Sequence, residues 1–464
     1  MSPSHFLLLL LFWSLQAQDV LLSSLKAKSL AKQYWEHRNR VEQVLGNYKY
    51  YVYNNEHIKK VTDDVMTAHR VEHEAQAEVW IHRAALHGVR HTLDPAQAEI
   101  FFVPVYVGFV HQKYKNEASS VIRTALKNIT QSSWFQRYNG RDHIFSNGGL
   151  NPTQAKVMGF PAISQAFPYS FRGTFEINPS WIGGLGGDNN NLDRLIAIPY
   201  VVHAELFDQV RNNTKVQRGD ISIFFAANER MNAIQWSGCN RSKALGLLDL
   251  DKSLIMVGKS GHYHPGGTNR QKSKSDKNVQ ENYLGKNHRY LIIEHSLFAE
   301  QMHAADRCLF MCGDTPTSRR LFDSIIADCI PLIVGTRVYG ECVEPCHKGW
   351  GWRISGPEHP HLPFYDIYID YSLFPVVNES LFYINAEVAV APYLDKSHDQ
   401  QLHEYLAIIK DDVLYGYGNY LTSLKFGRVA YNLLDTATLR WRSEKVNSSL
   451  AIPNYLRPSF HFSP

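Results

Sequence analysis

The stretch from Cys312 to Val334, CGDTPTSRRLFDSIIADCIPLIV, limits the fold of this chain more than any other part of it. Thr315 is suited to cap a helix, Pro316 to its first turn, and Thr317 and Ser318 add hydroxyls there. Leu321, Phe322, Ile325, Ile326 and Cys329 recur at helical spacing, which predicts one buried apolar face. Pro331 is expected to end the helix, and Ile330 to Val334 reads as a short buried strand. Gly313 and Asp314 form the loop before that helix, and Arg319 and Arg320 stand at its start. A glycine loop opening onto a helix start, with amides, hydroxyls and guanidinium groups, suits a phosphate. An ordinary capped helix with solvated arginines would give the same local pattern, so the motif alone leaves both readings open.

The rest of the chain alternates between the two periodicities. Tyr48 to Tyr53, YKYYVY, reads as a strand, and Glu72 to His87 as a helix carrying Ala75, Val79, Ala84 and Leu86. Asp94-Pro95 is a helix-start signal, Ile100 to Val105 reads as a buried strand, and Ser119 to Ile129 as a helix. Leu195 to Pro199, Ile221 to Phe225, Leu254 to Val257 and Arg307 to Met311 are further strand candidates. Such alternation predicts parallel α/β sheets. With 464 residues, two domains are expected. The polar stretch from Asp208 to Asp220 is the expected boundary, and Lys259 to His288 reads as a loop.

Several of these segments also carry a resemblance. GDTPTSRRLFDSIIADCIPLIV and LPFYDIYIDYSLF, from Leu362 to Phe374, resemble signatures of the exostosin family of glycosyltransferases. YKYYVY, DPAQAEIFFVPVY from Asp94 and GRDHIF from Gly140 echo it upstream, in the same order. The resemblance implies two Rossmann-like α/β domains facing across a cleft (GT-B type). Residues 46–210 would form an acceptor domain and residues 218–400 a nucleotide-sugar domain, with helical residues 401–464 packing back on the first. The donor-binding candidates are Gly313, Asp314, Thr315, Thr317, Ser318 and Arg319. To these the resemblance adds Asp323, as a partner of donor hydroxyls, and Arg230 in the loop AANER, where alanine stands in place of the family's glycine. An exposed helical carboxylate is the alternative reading of Asp323.

In the first domain, Asp142 and His143 are the candidates for the base that deprotonates an acceptor hydroxyl. A structural Asp–His hydrogen bond fixing a turn is the competing reading. The resemblance favours inversion at the sugar carbon by direct displacement. No metal is expected. His262 and His264 lack carboxylate or cysteine companions at ligand spacing, and Asp249-Leu250-Asp251 sits in an expected helix-to-strand turn.

The net charge of +4 gives no indication of nucleic acid. Phe6 to Trp13, FLLLLLFW, is shorter than the roughly 20 apolar residues that span a bilayer. Residues 1–17 therefore read as a signal-peptide-like segment, with entry to the secretory pathway and a Golgi lumen as the expected location. Six cysteines permit disulfides without assigning them, and Cys342, Cys346, Trp350 and Trp352 lie in a segment that interrupts the family pattern. Asn128, Asn212, Asn240, Asn378 and Asn447 stand in glycosylation sequons. The partners implied are a nucleotide-sugar donor, a glycan acceptor and related glycosyltransferase subunits. Two other function classes remain: a catalytically silent exostosin-like subunit, which would lose the phosphate ligands, and a secreted sugar-binding protein, which would bind no nucleotide.

Overall fold

The computed structural model describes residues 29–54, 77–106, 117–147, 166–175, 194–202, 206, 218–228, 241–247, 250, 253–258, 290–292, 295–311, 318–335, 362–417, 425–447 and 450–461. The signal-like segment, the His262–His264 stretch, Asp249, Asp251, Cys342 and Cys346 lie outside them.

Helix α1 (Leu30–Leu45) begins at Ser29, whose hydroxyl accepts from the Lys32 amide. The first sheet then collects β1 (Tyr50–Val52), α2 (Ala77–His87), β2 (His91–Thr92), β3 (Ile100–Phe102), α3 (Ala118–Thr130), β4 (His143–Asn147), β5 (Phe171–Thr174) and β6 (Leu195–Ala197). Its order is β2-β1-β3-β4-β5-β6 and every pairing is parallel. The strand expected to reach Val105 stops at Phe102, because Pro104 has no amide to give a ladder. Asp94-Pro95 opens only a three-residue turn, Pro95–Gln97, in which Asp94 accepts from the Ala96 amide.

The second sheet contains β7 (Ile221–Asn228), β8 (Ser253–Gly258), β9 (Tyr290–Ile292), α4 (His295–Ala304), β10 (Ala305–Phe310), α5 (Arg319–Ile326), β11 (Ile330–Gly335) and β12 (Val376–Asn378). Its order is β12-β11-β10-β7-β8-β9, again parallel throughout. Counted from its own first strand this is the dinucleotide-fold order, running outward on one side and then back past the start. Two Rossmann-like α/β units are therefore present. The chain continues through α6 (Asp399–Ile409) and α7 (Val429–Asn447).

Two details of the opening stretch differ from expectation. Helix α5 starts at Arg319 with Ser318 as its N-cap, later than a cap at Thr315 would set it. It also ends before Pro331. Asp328 takes a φ of 58°, a left-handed conformation that aspartate tolerates, and Pro331 lies inside β11 opposite Cys308. Cys329 is consequently past the helix, where it forms a disulfide with Cys308 of β10.

Burial fixes where the layers meet. One apolar cluster runs from Ile100 and Phe102 of the first sheet, through α1, α6 and α7, to Ile330 and Ile333 of the second. The opposite faces of the sheets pack separate clusters, around Ile122, Leu126 and Phe145 in one case and Ile223, Leu309 and Leu332 in the other. A strand buried on both faces carries a continuous apolar run, as IPLIV does.

Buried carboxylates tie the terminal helices to both sheets. Asp412, after α6, accepts from Tyr34 (2.5 Å) and Arg38 (3.0 Å) of α1 and from Asn432 (3.0 Å) of α7. Asp435 of α7 accepts from Tyr48 (2.6 Å), Arg90 (2.8 Å) and Tyr368 (2.8 Å). Burial pushes the Asp435 carboxyl up, and Arg90 opposes that shift. Tyr368 belongs to the LPFYDIYIDYSLF stretch, so that motif joins the two halves of the molecule.

Candidate functional site

In an open parallel sheet, ligands gather outside the carboxyl ends of the strands, where the strand order reverses. In the second sheet that point lies between β7 and β10. The chain leaving β10 there reaches α5, so the start of the helix stands at the reversal point. Its buried stripe, Leu321, Phe322, Ile325 and Ile326, fixes the helix against the core and leaves the N-terminus at the edge.

Ser318, Arg319 and Arg320 are half-buried at that N-terminus. The Ser318 backbone is extended, and its enclosed Oγ makes no hydrogen bond among the described residues. Arg320 turns across the reversal point. It donates from Nη1 to the Ala226 carbonyl of β7 at 3.1 Å, and its guanidinium lies 5.6 Å from the Phe225 ring centroid. Consecutive helical residues leave the axis about 100° apart, so the two arginines start from different faces of the helix. Arg320 thereby links β7 to α5.

Asp323, one turn further along, is fully buried, so the reading of it as an exposed helical carboxylate is wrong. Phe322 faces Tyr200, their ring centroids 6.2 Å apart, and Tyr200 stacks in turn on Phe175 at 4.5 Å. Phe175 and Tyr200 follow the carboxyl ends of β5 and β6. The carboxyl edge of the first sheet therefore abuts the flank of α5. Gly313, Asp314, Thr315, Thr317 and Arg230 lie outside the described residues. Among the described residues no group of three His, Cys, Asp or Glu side chains is placed to hold a metal.

Asp142 and His143 are not at the corresponding edge of the first sheet. They stand at the amino end of β4, with His143 level with Phe101, and both are fully buried. Arg137 donates to Asp142 Oδ2 from Nε (3.2 Å) and Nη2 (2.9 Å). His143 Nδ1 lies 2.8 Å from Asp142 Oδ1, its Nε2 lies 2.9 Å from the Tyr53 hydroxyl, and its ring stacks on Phe101 at 4.9 Å. Burial pushes the His143 imidazole below its usual range, against the pull of Asp142. The turn before them is set by Gly140, whose φ of 73° suits glycine and whose missing Cβ leaves room for the Phe135 ring. Burial and the hydrogen bonds from Arg137 and to Tyr53 are what the structural reading of the Asp–His contact expects.

Sequence reasoning passed over one pair at the carboxyl edge of the first sheet. Tyr106 lies just beyond β3 and its hydroxyl is hydrogen-bonded to His82 of α2. The two are 24 residues apart and nothing in the local pattern marks either.

The Exostosin GT47 domain model matches residues 46–381. The chain is 25% identical over 303 residues to the Arabidopsis thaliana protein "Probable glucuronoxylan glucuronosyltransferase IRX7", covering 63% of this chain and 60% of that one. It is 24% identical over 308 residues to "Probable arabinosyltransferase ARAD1" of Arabidopsis thaliana, covering 64% and 52%. The match thus spans only a little over half of each relative's length. Among solved structures, WaaG, a glycosyltransferase involved in lipopolysaccharide biosynthesis, overlaps at 11% identity and a TM-score of 0.34, covering 72% of this chain and 91% of that one.

Proposed function

The chain belongs to the Exostosin GT47 domain family, and from that premise we propose that it is a glycosyltransferase that moves a sugar from a nucleotide-sugar donor to a polysaccharide acceptor. The observation that carries this reading is the start of α5 at the strand-order reversal of the second sheet, with Ser318 and Arg319 beside it. A helix N-terminus and a forked guanidinium both favour a diphosphate. The acceptor hydroxyl gives its proton to the departing diphosphate or to water as its oxygen bonds to the anomeric carbon and the bond from that carbon to the diphosphate breaks, with inversion. Charge collects on the departing nucleoside diphosphate, and Arg319 with the helix dipole stabilises it. The relatives' names suggest a uronosyl or pentosyl unit and a xylan-type acceptor.

The Cys308–Cys329 disulfide is compatible with an oxidising compartment, and the Golgi lumen is the location we propose. Asn128 and Asn378 are exposed, as sequons that carry glycans must be. Asn378 also caps the helix Glu379–Ile384 through Oδ1, which leaves Nδ2 for a sugar.

The test is to incubate purified protein with a panel of nucleotide sugars and xylo-oligosaccharides, with and without EDTA. Release of nucleoside diphosphate and extension of the oligosaccharide are expected in both conditions. Absence of release and of nucleotide binding across the panel would sink the reading in favour of a silent subunit. Loss only in EDTA, restored by a divalent ion, would overturn metal independence.

A further inference from the structure

With Asp142 and His143 enclosed at the amino end of β4, the first sheet needs another element to face an acceptor. Its strand order reverses between β1 and β3, so the carboxyl ends of those two strands define the edge in question. Tyr106 follows β3 at that edge.

The Tyr106 backbone is in the left-handed region, with φ of 50°. Four described non-glycine residues share a positive φ, and two of them, Asn139 and Asp328, are types that tolerate it. The third, Phe364, has a local compensation. Its carbonyl accepts from the amides of Tyr368 (2.8 Å) and Ile369 (3.0 Å) in the joint between the halves. At Tyr106 what opposes the strain is a side-chain contact from a different element. The Tyr106 hydroxyl is bonded to His82 Nδ1, and the imidazole lies over Phe102, ring centroids 6.2 Å apart. Both side chains are buried, and burial holds the His82 imidazole down to about 3, so it is neutral at ordinary pH.

Packing alone does not call for this arrangement. A tyrosine ring can be buried from an extended backbone, and the left-handed conformation adds a steric cost that persists only when surroundings over-determine it. Such strain collects where a chain must present its backbone at one angle. Tyr106 is also the last residue of DPAQAEIFFVPVY, a stretch whose other residues are explained by β3 and the turn before it.

We propose that Tyr106, held by His82, is a positioning residue that sets the acceptor-binding edge of the first sheet for a glycan. The proposal rests on the glycosyltransferase reading and deepens its acceptor side. The pair is assigned to the acceptor side, so the effect falls on acceptor use and not on nucleotide binding.

The test measures transfer kinetics against xylo-oligosaccharide concentration, and nucleoside diphosphate binding, for Tyr106→Phe, His82→Leu and His82→Asn. Unfolding midpoints are measured beside them. Tyr106→Phe and His82→Leu are expected to lower kcat/KM for the acceptor about tenfold, the scale of one lost hydrogen bond. Nucleotide affinity should stay within about twofold. Asparagine can meet the tyrosine hydroxyl where leucine cannot, so His82→Asn should recover most of the acceptor kinetics. If the two disruptive variants melt earlier but keep the parent's acceptor kinetics, the pair is packing and the proposal is overturned. If the parent binds nucleotide yet extends no acceptor, the transferase reading itself has failed and takes this one with it. Should Tyr106→Phe fail to fold, His82→Leu against His82→Asn decides at the same contact.

Discussion

The two sheets are built alike and use their polar residues differently. Each is parallel with one reversal of strand order, but the second places a helix start and Arg319 at its reversal point. The first places aromatic rings there, and its polar residues Arg137, Asp142 and His143 bond to one another at the amino end of β4, the last two fully buried. A buried carboxylate that accepts from a guanidinium and an imidazole is already satisfied, and a satisfied group has nothing left for a substrate. At the start of α5 a guanidinium and the helix dipole both favour an anion. Charge at an edge is a better sign of ligand chemistry than charge in sequence.

The largest expected effect tests whether the first sheet's polar residues are structural. Asp142→Asn removes the charge that Arg137 and His143 share, and should cost about 1.5–3 kcal/mol of stability in a urea titration. Nucleotide binding by the folded protein should be unchanged. If the variant is as stable as the parent and its catalysis collapses, the two sheets do not divide their roles in this way.

A smaller effect comes from pH. His82 and His143 are kept neutral by burial, with folded values below the unfolded value of about 6.5. The unfolded chain therefore gains protons that the folded chain refuses. Their stability contribution is whole above about pH 6.5 and declines as the pH falls below it, for His82 until about 3. Each such imidazole accounts for at most about 1.4 kcal/mol per pH unit. Urea midpoints should drop between pH 7.5 and 5.0, and drop less in His82→Asn. Equal midpoints at the two pH values would mean that these rings reach solvent.

Much of the fold could be read from residue order, and the reasons are local. ISIFF, IPLIV and the helical stripe of Leu321, Phe322, Ile325 and Ile326 each state their own period, and their alternation implies parallel α/β sheets. What could not be read depends on register. The run GRDHIF looks the same whether its charged residues lead a strand or follow one, and only pairing of His143 with Phe101 puts them at the amino end. Thr315, Thr317 and Ser318 are all capping types, so the start of α5 at Arg319 rested on backbone geometry. Cys308 and Cys329 become obvious partners once β10 and β11 are neighbours, but strand order is not a property of spacing. Tyr106 and His82 are joined only by the packing of α2 against the first sheet.

The most direct measurement is nucleoside diphosphate affinity in Arg319→Ala and Arg320→Ala, with folding checked separately. Arg319→Ala should weaken binding roughly ten- to a hundredfold, since a charge-assisted hydrogen bond contributes about 1.5–3 kcal/mol. Arg319→Lys should recover only part of the loss, because an ammonium keeps the charge without the fork. Arg320→Ala should have the smaller effect on affinity, its guanidinium being bonded to the Ala226 carbonyl. If both alanine variants bind as tightly as the parent, the start of α5 is not the diphosphate site.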